Sequence, residues 1–568
     1  MHHRHVGHAL ISAPARVMLA AVLLAATQAR AAADSPALTE SVCTGTTLGA
    51  AIKASQIGEP VAGVVLESLQ WVSGAGNTPA HCMVNGSLEP VDKAATARPI
   101  RFGVALPANW NRRAVQMGGG GMNGSIPGLA GGFGGASNLA QGFATYGSDS
   151  GHAGRDSQWA LNDEAIRNLG YLQLKKTHDV AMVLIERAYG VRPQYNYFVG
   201  SSQGGREALT VAQRYPNDYH GVMSSVPIVG FSSLMLSRAQ MRIQEIPLRN
   251  WVPPAKGTAI LAEFMRRCDK LDGLADGIIN AYFDCRAIFN VNDGIGEPDP
   301  WAARRCPNDV DPEPQDATQN ACLTSGQIQT LQVFFSNRSS EVKLANGRTD
   351  FGMWAPTSSG ALLAGQRYRG QEGAAVDAPS FSNQGTIGVI GFVMQDLDAN
   401  PLDLDVNRVL ARRELVSQWL DSTDPDLSAF HKRGGKLLVT IGTDDTTAPS
   451  GEQLNYYQSV LDKLGRRTVD AFARLYVIPQ GGHGLSGRSA TINGDGEQVD
   501  AIQVPSNVDR FALLRNWVEQ GVAPGRSEVV SAGARSMPMC SYPEFPRYQG
   551  GDISLAGSYA CAAPASLK

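Results

Sequence analysis

The chain has 568 residues, with 49 Lys and Arg against 52 Asp and Glu, a formal net charge of −3, and 43% hydrophobic residues. A chain of this size holds a large core and more than one lobe. Near-neutral charge without a basic block argues against nucleic acid or an anionic membrane surface as the main partner, and the 62 glycines show no period, so the chain is neither collagen-like nor low in complexity.

Residues 1–31 read as a secretory signal peptide. Arg4 and Arg16 give a cationic start, residues 17–26 are an apolar stretch, and Ala29-Arg30-Ala31 offers small residues at the cleavage positions. The stretch is too short to span a bilayer and no later run reaches that length, so a secreted or periplasmic protein without a membrane partner is expected. An oxidising compartment permits disulfides among the eight cysteines. Their spacing suggests sequential pairs, Cys43–Cys82, Cys268–Cys285, Cys306–Cys322 and Cys540–Cys561, out of roughly 105 possible connectivities. Zinc is the alternative, but no CxxC pair or His cluster accompanies these positions.

Short apolar runs at 100–106, 114–117, 143–146, 195–199 and 221–224 predict buried strands. Residues 169–189 carry Leu172, Val180, Val183 and Leu184 at helical spacing and predict an amphipathic crossover helix. Further strands are predicted at 436–441 and 474–478, and a helix at 508–519. Strands alternating with helices predict an α/β fold with a mostly parallel sheet and helices on both faces. Residues 229–423 break this rhythm with four of the cysteines and many Gly, Pro, Asn and Asp. They read as a large inserted lid domain between the two core pieces, 32–228 and 424–568.

Gly200-Ser201-Ser202-Gln203-Gly204 is a G-x-S-x-G pentapeptide between a predicted strand and a helical pattern, the context in which a serine is lifted onto a tight turn as nucleophile. A serine hydroxyl needs a base to take its proton. His483, in a Gly-rich loop after the last predicted strand, has the right location. Asp444 or Asp445, after the strand at 436–441, has the right place for the acid. The order Ser, Asp, His is that of α/β-hydrolases. His152 follows Asp149 after a strand and reads as structural or pocket-lining, but it precedes the serine; His81, His178, His220 and His431 lack a partner signal and read as packed or surface residues. The backbone N–H of Gln203 would be one oxyanion donor, and the Gly118–Gly121 run after an early strand would supply the second, with Gly121 favoured. No Lys-Ser/Thr follows that run, which argues against a phosphate cradle.

Residues 268–278 (CDKLDGLADGI) place Asp269, Asp272 and Asp276 at i, i+3 and i+7 among tight-turn glycines. Hard cations want several oxygens, and the carbonyls of Leu274 and Ile278 would add to the three side chains. The spacing is not that of an EF-hand, and an Asp-Gly surface turn is the competing reading. A calcium ion here would be structural and remote from Ser202.

Taken together, residues 118–125, the Gly200–Glu207 segment (GSSQGGRE), residues 268–278, Gly442–Asp445, His483 and the Cys540–Cys561 tail resemble the tannase and feruloyl esterase family, which includes the mono(2-hydroxyethyl) terephthalate hydrolases. The resemblance implies an α/β-hydrolase core with a large lid, a structural Ca²⁺ in the lid, no organic cofactor, and ester hydrolysis through an acyl-enzyme. By position it implies Ser202 as nucleophile, His483 as base, Asp445 as acid, and Gly121 and Gln203 as oxyanion donors. It also implies Asp269, Asp272, Asp276, Leu274 and Ile278 around calcium and the four sequential disulfides. Much of the family carries cysteines where Ser201 and Gly484 stand here, joined in a bridge that ties the base loop to the nucleophile turn. Without it His483 is expected to be positioned by Asp445 and packing alone. No lid Arg aligns convincingly with the Arg that recognises the substrate carboxylate in the terephthalate monoester hydrolases; Arg367 and Arg369 lie nearby, with the register between them and that position left open. The expected substrates are therefore small esters of feruloyl- or galloyl-type aromatic acids. A terephthalate monoester, transfer of the acyl group to another acceptor, and a non-catalytic calcium- or glycan-binding protein are the alternatives. The oligomeric state is left open.

Overall fold

The computed structural model describes residue 1 and residues 37–132, 136–153, 157–245, 247–292, 298–339, 342–357, 360 and 386–567. The expected signal peptide beyond residue 1, and Arg367 and Arg369, lie outside these described residues. Twelve strands are taken in chain order: β1 (Ala51–Ile52), β2 (Gly63–Val72), β3 (His81–Glu89), β4 (Ile100–Pro107), β5 (Arg113–Met117), β6 (Ala144–Ser148), β7 (Tyr195–Ser201), β8 (Gly221–Ser225), β9 (Asn337–Ser339), β10 (Asp350–Gly352), β11 (Lys436–Gly442) and β12 (Ala473–Ile478). All but β9 and β10 form one ten-stranded sheet in the order β1-β2-β3-β4-β6-β5-β7-β8-β11-β12. The pairings from β1 to β6 along this order are antiparallel. Those from β6 through β5, β7, β8 and β11 to β12 are parallel.

The apolar runs form the parallel part because both of its faces are covered, so there is no alternation with solvent. The covering helices are α1 (Gln173–Tyr189), α2 (Gln203–Arg214), α5 (Ser450–Leu464) and α6 (Arg510–Gln520), while α3 (Phe231–Glu245) and α4 (Leu410–Leu420) pack against each other in the segment between β8 and β11. Along β7, Phe198 packs with Ala208 and Leu209 of α2 and Leu454 of α5. Its neighbours Tyr197 and Val199 pack instead with Phe511 and Leu514 of α6. Successive strand residues thus feed opposite layers. This is the α/β-hydrolase core that the sequence predicts. At the N-terminal end of the predicted helix lies a π-helical turn, Asn168–Leu172, where a Cβ on Gly170 would sit 2.2 Å from the Trp419 carbonyl oxygen.

Between β8 and β11 the chain leaves the sheet and builds its own aromatic cluster. The Phe264 ring lies 5.0 Å from Phe289, 4.9 Å from Phe335 and 5.5 Å from Trp301. The four disulfides form in sequential pairs, Cys43–Cys82, Cys268–Cys285, Cys306–Cys322 and Cys540–Cys561. Two C-terminal hairpins, β13 (Ser527–Ala532) with β14 (Arg535–Cys540) and β15 (Phe545–Tyr548) with β16 (Tyr559–Ala562), are not foreseen from the sequence. Among the described residues no helix is long and apolar enough to cross a membrane.

The Cys540–Cys561 bond closes a 21-residue separation and joins β14 to β16. Closing a loop of that size removes unfolded-chain entropy worth about 3 kcal/mol. Replacing both cysteines by Ser should lower the thermal midpoint by several degrees, measured by circular dichroism, while leaving hydrolysis at low temperature intact.

Candidate active site

The carboxyl ends of β5 and β7 lie side by side, with Met117 paired to Val199, so the segments that follow them meet at one edge of the sheet. After β7 the chain turns sharply into α2. Ser202 sits on that turn with φ 63° and ψ −120°, a conformation that costs a non-glycine residue on the order of 1–3 kcal/mol. The turn is held by Ser202 N–H donating to the Ser225 carbonyl (2.9 Å) and Arg206 N–H donating to the Ser202 carbonyl (3.0 Å). The neighbouring glycines are sterically required. A Cβ at Gly200 would lie 2.1 Å from the Gly204 carbonyl oxygen, and one at Gly204 would lie 2.6 Å from that of Gly119.

His483 Nε2 is 2.8 Å from Ser202 Oγ, and His483 Nδ1 is 2.8 Å from Asp445 Oδ2. The other oxygen of Asp445 accepts the N–H groups of Thr447 (2.8 Å) and Ala448 (2.9 Å), so the buried carboxylate is fixed from two sides. Asp444 is turned away and accepts the Thr357 hydroxyl. The structure therefore separates the two acids, between which the strand pattern alone does not choose.

The base loop is held by more than Asp445 and packing. Asp444 N–H donates to the Gly481 carbonyl (2.8 Å) and Gly482 N–H to that of Ser486 (2.9 Å). Gln480 N–H donates to Thr443 Oγ1 (2.8 Å), and the Gln480 side-chain amide donates to the Gly277 carbonyl (2.5 Å). These bonds tie the base loop to the residues that follow β11, to its own continuation and to the carboxylate loop.

After β5, the glycine run passes against the start of α2, where a Cβ on Gly118 would meet Gly204 Cα at 2.8 Å. Glu207, buried on α2, anchors this segment. Its carboxylate accepts Gly119 N–H (2.9 Å), the Asn123 amide (2.7 Å) and the Gln173 amide (3.1 Å). Burial pushes the Glu207 carboxyl up, against the neighbouring Arg206 charge and these donors. The Gly119 N–H is thereby spent. Gly121, with φ 59°, keeps its backbone N–H free of any acceptor among the described residues. The N–H of Gln203 lies in the first turn of α2, where helix geometry leaves it without an internal partner. The sequence contains Glu207 but assigns it nothing; a carboxylate on the buried face of a helix that packs on the sheet was the available signal.

The other histidines among the described residues are occupied elsewhere. His152 stacks on Trp159 at 3.9 Å, and His431 packs 4.9 Å from Phe472. The nitrogen Nδ1 of His178 meets Asp179, that of His220 meets Asn196 N–H, and that of His81 meets the Pro79 carbonyl. Burial pushes His220 down to about 4.

The carboxylate loop folds back on itself. Asp269 accepts N–H groups of Gly277 (3.0 Å) and Gly494 (2.6 Å). Asp272 accepts Leu274 N–H (3.0 Å) and the Asn280 amide (2.6 Å). Asp276 Oδ1 accepts Ile278 N–H (3.1 Å), and its Oδ2 is buried without a hydrogen-bond partner. The Ile278 carbonyl accepts Asn280 N–H (3.0 Å). Burial raises all three carboxyls, Asp272 to about 7 and Asp276 to about 6. Buried acids, an orphaned oxygen and an all-oxygen donor set fit a hard cation. The loop is also tied to the catalytic region more closely than expected, because the Gly277 carbonyl accepts from Gln480, three residues before His483. Among the described residues, Cys306, Asp311 and Cys322 also bring ligand atoms together within 4.8 Å, but their sulfurs are joined to each other.

A family model described as tannase and feruloyl esterase matches residues 82–562. A relative named as an uncharacterized esterase from Agrobacterium fabrum is 32% identical, over 97% of this chain and 98% of its own. The mono(2-hydroxyethyl) terephthalate hydrolase of Piscinibacter sakaiensis is 28% identical, over 89% of each chain. The crystal structure of feruloyl esterase B from Aspergillus oryzae superposes with a TM-score of 0.69 at 23% identity, covering 90% of this chain and 100% of that one.

Replacing Glu207 by Ala should release the segment from Gly119 to Asn123. The expected result is a fall in kcat for ester cleavage of about 10- to 100-fold, less than the ~10²–10³-fold cost of deleting an oxyanion donor outright, with KM changed less than threefold. Steady-state kinetics on a soluble ester checks this.

Proposed function

The chain belongs to the tannase and feruloyl esterase family and is a carboxylic ester hydrolase, and from that premise we propose that it cleaves esters of aromatic acids through a serine acyl-enzyme. The observation that carries this reading is the unbroken hydrogen-bonded line from Asp445 through His483 to Ser202. Ser202 Oγ attacks the ester carbonyl while His483 Nε2 takes its proton. Asp445 holds the Nδ1–H and stabilises the imidazolium that results. The oxyanion is accepted by the N–H groups of Gln203 and Gly121. His483 then gives the proton to the departing alcohol oxygen. A water molecule, deprotonated by the same ring, attacks the acyl carbon; the ring then returns that proton to Ser202 Oγ as the acid departs.

The aromatic preference is supported by the relatives, which include a mono(2-hydroxyethyl) terephthalate hydrolase and a feruloyl esterase. The segment inserted between β8 and β11 serves as the lid over the cleft, dividing the chain into a core of 32–228 and 424–568 and a lid of 229–423. The four disulfides and the leader-like residues 1–31 support export. Calcium would be held by Asp269, Asp272 and Asp276 with the carbonyls of Leu274 and Ile278. It would neutralise buried negative charge and stiffen the loop that Gln480 touches; no step of ester cleavage runs through it.

Ser202→Ala should fold normally and lose turnover by ~10⁴-fold or more. Wild-type kcat/KM should rank methyl ferulate or methyl gallate above methyl butyrate; a faster aliphatic ester would contradict the aromatic assignment. Chelation with EDTA should lower the thermal midpoint by about 5 °C, as expected for loss of a ligand present well above its Kd, with calcium restoring it.

A further inference from the structure

Outside the catalytic residues, a cavity of about 400 Å³ opens in the inserted segment between α3, α4 and the β9–β10 hairpin. That size suits a small organic ligand. None of Ser202, Asp445 and His483 lines it. Its walls include Val333, Leu344, Phe351 and Val406, so much of its lining is apolar.

Beside these apolar side chains Arg413 of α4 lines the cavity, at 6% exposure. Its Nε is sealed from solvent without a hydrogen-bond partner, and the described residues show no ion pair to its guanidinium. The acid whose charge reaches it is Asp421. The Asp421 oxygens are already engaged by Ser232 N–H (2.7 Å), the Ser232 hydroxyl (2.8 Å) and the Ser417 hydroxyl (2.5 Å). Burial accordingly pushes Arg413 below the usual guanidinium range. Gln244, also lining the cavity, has its amide nitrogen buried and unpartnered. Arg338 adds a second cation. Its Nη1 donates to Gln240 (3.1 Å) and its guanidinium lies 5.4 Å from the Phe351 ring. Asp350 shares the lining but is held by Arg348 (3.1 Å) and Asn455 (3.0 Å).

A buried guanidinium without a carboxylate destabilises a fold that holds nothing against it. A planar fork of N–H donors is also the best side-chain match for a carboxylate. We propose that this cavity is a second binding site, separate from the catalytic serine, for a small carboxylate carried on a compact apolar body, with Arg413 and Gln244 donating to the carboxylate and Phe351, Leu344 and Val406 holding the apolar part. The inference does not depend on which ester the enzyme prefers.

Benzoate is the probe, titrated calorimetrically into the full-length protein, with benzamide as its neutral counterpart. Saturable benzoate binding is expected, at least tenfold tighter than benzamide. Arg413→Met should weaken benzoate at least tenfold, and its ligand-free thermal midpoint should equal or exceed that of the wild type, because an unpaired buried charge has been removed. Val406→Trp keeps Arg413 but fills the cavity, and should weaken benzoate to the same extent. Both variants should turn over methyl ferulate within twofold of wild type. Absence of saturable benzoate binding to the wild type, or an unchanged affinity in either folded variant, overturns the proposal; should Arg413→Met fail to fold, Val406→Trp decides.

Discussion

Two hydrogen bonds of 2.8 Å, from Asp445 to His483 and from His483 to Ser202, join residues 281 positions apart in the chain. Each end of that line is built against a local cost. Ser202 occupies a backbone conformation that ordinary residues avoid, and Asp445 is a buried carboxylate that would be unstable without its two backbone donors. The strain at Ser202 is borne by glycines that let the turn, α2 and the β5 loop approach within distances no Cβ would permit. Much of the surrounding architecture keeps those three groups within hydrogen-bonding reach of one another.

Topology brings the groups together and side chains then lock them. Because β5 lies between β6 and β7, its following loop falls beside the nucleophile rather than a strand away. Glu207 fastens that loop to α2, and Gln480 fastens the base loop to the carboxylate loop. The loop that carries His483 is thus held by hydrogen bonds from neighbouring segments. The carboxylate loop, if filled by a cation, stiffens one of those anchors.

The parallel strands were legible because burial on both faces makes them continuous apolar runs; β7 and β11 begin at the residues predicted and run on by one or two. The antiparallel edge was not, since β2 and β3 mix polar residues with Gly and Asn and face solvent in part. The serine, the base and the G-x-S-x-G turn could be read from local pattern, yet Asp444 and Asp445 could not be separated by pattern alone. That distinction depends on which carboxylate points across to His483 and which meets Thr357, a long-range fact. Glu207, Gln480 and Arg413 share the same obstacle: each acts through partners tens or hundreds of positions away, and a charged or amide residue in a helix or loop gives no local sign of what it will meet.

The most direct test of the hydrogen-bonded line is covalent labelling of the full chain with a fluorophosphonate, read by mass spectrometry of its peptides. A line that activates the serine predicts one adduct, on Ser202, formed at least 10³-fold more slowly once His483 is replaced by Ala. An adduct on another residue, or labelling of Ser202 at an unchanged rate without His483, would contradict it.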